Sequence, residues 1–220
     1  MLSALHYTLT ISNWRAHQFT VALQIPEHSD SSLVLSLPSW IPGSYMVRDF
    51  AKSIVELSVE FADDSTKSTI VNLPVTKLDK QSWRVNTNGK PCTVHYTVYA
   101  NDLSIRSAFM NDQYAFINGT SAFLRVSGFE NVHCEVDIEL NDSDSATSNW
   151  KAYTSMPSRC ESTSPSRWHF IEKNYEELID HPIYVGIADT HSFEVDGIRF
   201  TLLFSGNDNI DYERIANDLT

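Results

Sequence analysis

Apolar residues recur at every second position along most of this chain, and that alternation confines it to a β fold. Leu5, Tyr7, Leu9 and Ile11 share one phase, and Phe19, Val21, Leu23 and Ile25 share another up to Pro26. A period of two sends alternate side chains to opposite faces, so each run reads as a strand with one buried face. The pattern returns at 33–37, 55–61, 70–73, 75–78, 82–85, 94–98, 122–126, 134–140, 168–171, 191–195 and 198–204. Asn88-Gly89 and Asp196-Gly197 tolerate positive φ at both positions. They predict hairpins joining 83–85 to 94–98 and 191–195 to 198–204. Helical signals are confined to two places. Asn174 can cap a helix over 175–179, with Glu176 and Glu177 at its positive end and His181-Pro182 closing it. A second helix is expected near 210–219. Segment 141–166, rich in Ser, Thr, Asp and Pro, reads as a long surface loop. Strand after strand with so little helix between them predicts an all-β antiparallel sandwich with one or two short helices.

The chain needs no covalent staple to hold that fold. Its 220 residues are enough to bury roughly 70–75% of the unfolded surface. Three scattered cysteines, Cys92, Cys134 and Cys160, suit neither a disulfide framework nor a zinc knuckle and read as small buried hydrophobes. A net charge of -12, spread along the sequence, argues against phosphate-backbone binding, so no nucleic-acid partner is expected. No run of about 18 apolar residues and no signal-peptide pattern occur, so no membrane partner is expected and the cytoplasm is the default location.

Chemistry-bearing motifs are mostly missing. No His-Glu-x-x-His, Gly-x-Ser-x-Gly or phosphate-binding glycine loop is present. His6, His95, His133 and His169 fall on the polar phase of strands and read as solvent-facing. Asp180-His181 reads as a helix end and turn, and Asp63-Asp64 and Glu176-Glu177 as solvated acids. No catalytic residue, metal ligand or cofactor is therefore assigned to this chain. One segment is neither ordinary strand nor loop: Trp40-Ile41-Pro42-Gly43-Ser44-Tyr45-Met46-Val47-Arg48-Asp49-Phe50. Proline corners can hold side chains at fixed positions. The groups this corner offers a substrate are Trp40, Ser44, Tyr45 and Arg48. With Tyr45, Arg48 and Asp49 in a single helical turn, Tyr45 and Arg48 would share a face. A purely structural corner, with Trp40 and Phe50 buried and Arg48 paired to an acid, is the competing reading.

The segment at 40–50 resembles the Trp-x-Pro-Gly-Ser-Tyr-x-x-Arg signature in the N-terminal domain of the glycyl aminopeptidase-like zinc metallopeptidases. Ile105-Arg106-Ser107-Ala108-Phe109 with Asn118-Gly119-Thr120, and Tyr175-Glu176-Glu177-Leu178-Ile179-Asp180-His181-Pro182 with Gly186, resemble two further stretches of that domain. The resemblance implies an accessory β domain preceding a thermolysin-like catalytic domain that carries zinc, often with a PDZ domain after it. It also implies that residues 1–206 form the domain. Residues 207–220 would be a linker and the start of a helix into a catalytic domain absent from this chain. The implied partners are that catalytic domain and a peptide substrate. A free-standing β-sandwich that binds peptide or carbohydrate is the alternative.

Overall fold

The computed structural model describes residues 4–62, 70–141, 145–158, 165–206 and 209–219. In chain order the first strands are β1 (Leu5–Asn13), β2 (Gln18–Ile25), β3 (Leu33–Ser36), β4 (Ile54–Ala62), β5 (Ile70–Leu73) and β6 (Val75–Lys77). Next come β7 (Ser82–Val85), β8 (Cys92–Tyr99), β9 (Ala108–Met110), β10 (Tyr114–Ile117), β11 (Arg125–Val126) and β12 (Cys134–Leu140). The last are β13 (Lys151–Thr154), β14 (Arg167–Glu172), helix α1 (Tyr175–Asp180), β15 (Ile183–Gly186), β16 (Asp189–Val195), β17 (Ile198–Phe204) and helix α2 (Tyr212–Leu219). The all-β class is as expected, and the two short helices sit where the caps place them.

A seven-stranded sheet runs β14-β12-β1-β2-β8-β4-β5. All its pairs are antiparallel except β1 with β12, which is parallel from Leu5↔Cys134 to Ile11↔Leu140. Two four-stranded sheets, β13-β15-β10-β9 and β11-β3-β7-β6, and the hairpin β16-β17 complete the architecture. The alternation of β1 buries Leu5, Tyr7, Leu9 and Ile11. They join Leu33, Leu35, Val85, Ile117, Phe123 and Val185 in one apolar cluster, so the inner faces of the larger sheets share a core. Cys92 and Cys134 are buried and free, and burial pushes their thiols up to about 11 and about 12. Cys160 lies outside the described residues.

Three expectations about the strands are corrected. Asn88 and Gly89 do adopt φ of 52° and 79°, and Lys90 N donates to Thr87 O at 3.1 Å. Yet the strands they join enter different sheets, β7 pairing with β3 and β6, β8 with β2 and β4. The turn bonds instead to the 28–31 loop, with Asn88 N donating to Ser31 O and His28 N to Gly89 O. Pro91, lacking an N–H, adds no rung to a ladder beside it. The 141–166 segment is not all loop, since Lys151–Thr154 pairs with Ile183–Gly186. Its polar, four-residue edge strand carries too little alternation to be seen. Over 122–126 only Arg125 and Val126 are in a strand.

Ala122, Phe123 and Leu124 are fully buried without strand partners, and tyrosines satisfy them. Tyr96 donates its hydroxyl to Ala122 O, Tyr175 to Phe123 O and Tyr7 to Leu124 O, each at 2.8 Å. Leu124 N donates back to Tyr96 Oη at 3.2 Å. Burial pushes all three phenols up. Replacing Tyr96 by Phe strands a buried carbonyl and a buried N–H, each costing about 1–3 kcal/mol. Denaturant unfolding should therefore show Tyr96→Phe less stable by about 2–4 kcal/mol.

On the outer face of the large sheet, Asp137 of β12 is buried. His6 Nε2 lies 2.6 Å and Arg167 Nη2 2.8 Å from its Oδ2, and His169 Nδ1 is 2.9 Å from its Oδ1. The expectation that His6 and His169 face solvent thus fails. His169 stands opposite Asp137 on β14, and His6 on β1 lies two residues before Asp137's register partner Thr8 on the same face, so both turn toward one carboxylate. Burial alone raises the Asp137 pKa, but bonds from Arg167, His169 and His6 outweigh it and leave it lowered. Unfolding therefore takes up a proton in acid. The stabilisation is complete above the unfolded value of about 3.9 and fades as pH falls through the folded one. Asp137→Asn should flatten the acid limb of a stability–pH curve below about pH 4. It should also cost about 1–3 kcal/mol at neutral pH, because the part-exposed imidazoles and guanidinium lose a charged acceptor.

Candidate functional site

The Trp40–Phe50 segment leaves β3 and enters a 3-10 turn, Phe50–Ser53, without forming a helical turn at 44–49. Gly43 takes φ of 77°, a left-handed conformation that favours glycine. The corner is pinned by its own backbone and short side chains. Trp40 Nε1 donates to Ser44 O at 2.8 Å, Ser44 Oγ to Met46 O at 2.9 Å and Arg48 N to Ser39 O at 2.5 Å. Ser44 and Phe50 are buried. Ser44 is thus a former of the turn, whereas Tyr45 is 105% exposed and Trp40 half exposed. Against the structural-corner reading, Trp40 is not covered, and no acid pairs with Arg48 among the described residues. Asp49 lies 3.7 Å from Lys80, and Arg48 Nε is buried without a hydrogen-bond partner.

The three sequence stretches singled out above meet around this corner. Arg106 Nη2 donates to Gly43 O at 3.2 Å, tying the 101–107 loop to the turn. Asn118 holds that loop from behind, its Nδ2 donating to Ile105 O at 3.1 Å and its N to Ser107 O at 2.9 Å. Gly119 packs on α1 so closely that a Cβ would lie 2.8 Å from Ile179 Cα. A groove of about 400 Å³ between corner and helix is lined by Pro38, Trp40, Arg125, Tyr175, Glu176 and Ile179. Tyr45, Met46 and Val47 of the corner, and Leu103 and Ile105 of the loop that Arg106 ties to it, are exposed large apolar side chains. Exposed apolar groups gathered in one place mark a surface that another body covers. Sequence reasoning found the corner and, separately, the stretch that begins at Ile105, but it missed Leu103 and could not place that loop beside the corner, which the Arg106–Gly43 contact does.

The residues suit recognition better than chemistry. A phenol, an indole and an unpaired guanidinium can hold a carboxylate, a carbonyl or an apolar side chain. No nucleophile and base within hydrogen-bond reach of each other appear at this corner among the described residues. The His-Glu-x-x-His motif that carries a catalytic zinc in many peptidases does not occur in the 220 residues.

Comparison with known proteins relates the chain to peptidases. The chain is similar to an aminopeptidase N family protein from Idiomarina loihiensis, with 36% identity and a TM-score of 0.86, over 98% of this chain and 35% of that one. It thus spans about a third of the length of that protein. A mutant M1 zinc metallopeptidase from Deinococcus radiodurans, bound to a Tyr-Ser-Ala substrate, shares the fold alone. Its identity is 10% and its TM-score 0.50, over 99% of this chain and 51% of that one. No curated protein matches. These similarities place the chain in the class of β-rich domains carried by peptidases. It belongs to the peptidase M61 N-terminal domain family, whose sequence profile matches residues 6–187.

The closeness of Gly119 to α1 yields a direct check. Gly119→Ala forces the backbone of α1 to shift, an overpacking that costs about 1–3 kcal/mol. Its melting temperature should fall by several degrees, and protease should cut more readily at the exposed 101–107 loop.

Proposed function

We propose that this chain is the N-terminal accessory domain of a zinc-dependent, aminopeptidase-type metallopeptidase, and that it walls the substrate cleft of a catalytic domain lying outside the chain. In this reading residues 1–206 form the domain, and 207–220 lead into a thermolysin-like catalytic domain that supplies the zinc. A metal-activated water does the cleavage there, and this chain's residues bind and exclude. The observation that carries the reading is Arg48 at an exposed apolar corner, its Nε buried without a hydrogen-bond partner and its guanidinium without an acid beside it among the described residues. A permanent cation kept unpaired at that position has an unfilled site for a carboxylate or carbonyl. The family membership supports the same reading. So does exposed apolar surface on the last hairpin, at Ile198, Phe200 and Leu203, which offers a second face for contact with a further domain.

Trp40, Tyr45 and Arg48 are the substrate-proximal residues in this proposal, and Ser44 fixes the turn that presents them. In the full-length enzyme Arg48→Ala should lower kcat/KM by about 10- to 100-fold, the worth of a bond to a charged group. Tyr45→Phe should lower it by about 2- to 10-fold. Both variants should melt within a degree or two of the parent. Normal turnover per folded molecule with a melting temperature several degrees lower would assign the corner a structural role instead.

A further inference from the structure

Glu172, the last residue of β14, is one of the few buried charged side chains. Its Oε1 has no hydrogen-bond partner. A buried carboxylate oxygen left bare is expensive, so such an atom calls for a cation or a donor. His181 Nε2 lies 3.2 Å away, not aligned to donate to it. The other ring nitrogen, Nδ1, lies 2.7 Å from Ser155 Oγ of the segment after β13. Glu177 on α1 stands four residues before His181, the residue that follows the helix's last turn with extended backbone. Ligand atoms of Glu172, Glu177 and His181 all lie within 4.8 Å of one another.

We propose that Glu172, Glu177 and His181 bind a divalent transition-metal ion, with Ser155 orienting the imidazole from behind. Two ligand atoms on a tetrahedral ion at bond lengths of about 2.0–2.1 Å stand about 3.3 Å apart, which matches the Glu172–His181 separation. When Nδ1–H donates to the serine hydroxyl, Nε2 carries the lone pair beside the carboxylate oxygen but not aimed straight at it, as two ligand atoms that share a metal ion stand. One imidazole with two carboxylates selects a borderline ion such as zinc over calcium or magnesium, which take oxygen ligands. Glu177 and His181 are only half-buried, leaving room for water on the open side. Lys173 Nζ, 2.6 Å from Glu177 Oε1, is exposed and can swing away. The second three-residue cluster, His6, Asp137 and His169, is unlike this one. There Arg167 already supplies a permanent cation to the carboxylate. The order Ser155–His181–Glu172 also resembles a serine-nucleophile relay, but a relay needs the imidazole hydrogen-bonded to its acid, and Oε1 has no such bond.

The test uses the 220-residue chain, freed of metal by a chelator and then titrated with zinc. The expected result is one equivalent bound at micromolar concentration or below. Melting temperature should rise by about 5–10 °C when zinc exceeds Kd about 100-fold, whereas calcium and magnesium should give no rise. Glu177→Gln, on a half-exposed helix face, should fold as the parent and bind at least tenfold more weakly. His181→Ala should abolish binding, and His6→Gln should leave it unchanged. Failure to bind zinc would overturn the proposal, as would unaltered binding by Glu177→Gln and His181→Ala. So would loss of binding in His6→Gln alone, or labelling of Ser155 by a fluorophosphonate in the metal-free chain.

Discussion

Three tyrosine hydroxyls hold a strip of backbone that has no strand to pair with, and the rest of the molecule takes its bearings from that strip. Buried peptide groups outside a ladder are tolerated only when something donates to their carbonyls. Tyr7 and Tyr96 come from the seven-stranded sheet and Tyr175 from α1, so successive carbonyls at 122–124 are bonded to two different layers. Chain just before the strip carries Asn118 and Gly119, and chain just after it becomes β11. The large sheet, the helix and the 101–107 loop are thus registered to one another through a handful of hydrogen bonds. None of the three tyrosine bonds can be removed without stranding a buried carbonyl.

Charge is handled in two contrasting ways on this frame. Asp137 is saturated, with two imidazoles and a guanidinium closing around it. Such a network ties β1, β12 and β14 together and leaves no valence over. Arg48 and Glu172 each keep an unsatisfied atom, one beside the exposed corner and one between strand end and helix. Groups left open on an otherwise well-satisfied scaffold are where a ligand, an ion or a second domain completes the structure. The asymmetry between the closed and open groups separates the parts of this domain that fold it from the parts that serve a partner.

What was legible in the sequence follows from how local the determining physics is. Alternation at Leu5–Ile11, the Asn174 cap and the Asp196-Gly197 hairpin are set by neighbours a few residues away, and each appears where expected. Asn88-Gly89 shows the limit: its φ angles are local and came out right, but the partners of the strands it joins are chosen by distant residues. Phe123 and Leu124 look like strand because they are apolar and buried, yet hydroxyls over 25 residues away satisfy them. At the corner, the glycine turn and the unusual composition drew notice, whereas Leu103 and Ile105 joined it only through tertiary contact. His6 and His169 carry no sequence signal for their shared aspartate, since three strands must first align to bring them together.

The parallel pairing of β1 with β12 has a consequence for how the chain is made. The first strand lies near the middle of its sheet, flanked by β2 and by a strand whose Asp137 is 131 residues from His6. At roughly 5–20 residues per second, a ribosome takes on the order of ten seconds to deliver that neighbour. Until then one long edge of an apolar strand waits with its backbone groups unpaired, a state open to pairing with other nascent chains. Contacts so distant in sequence also place the fold among the slow ones. The domain's assembly is therefore governed by late closure: β12 and β14 complete the sheet, and the seam they seal is the one that Asp137 then locks.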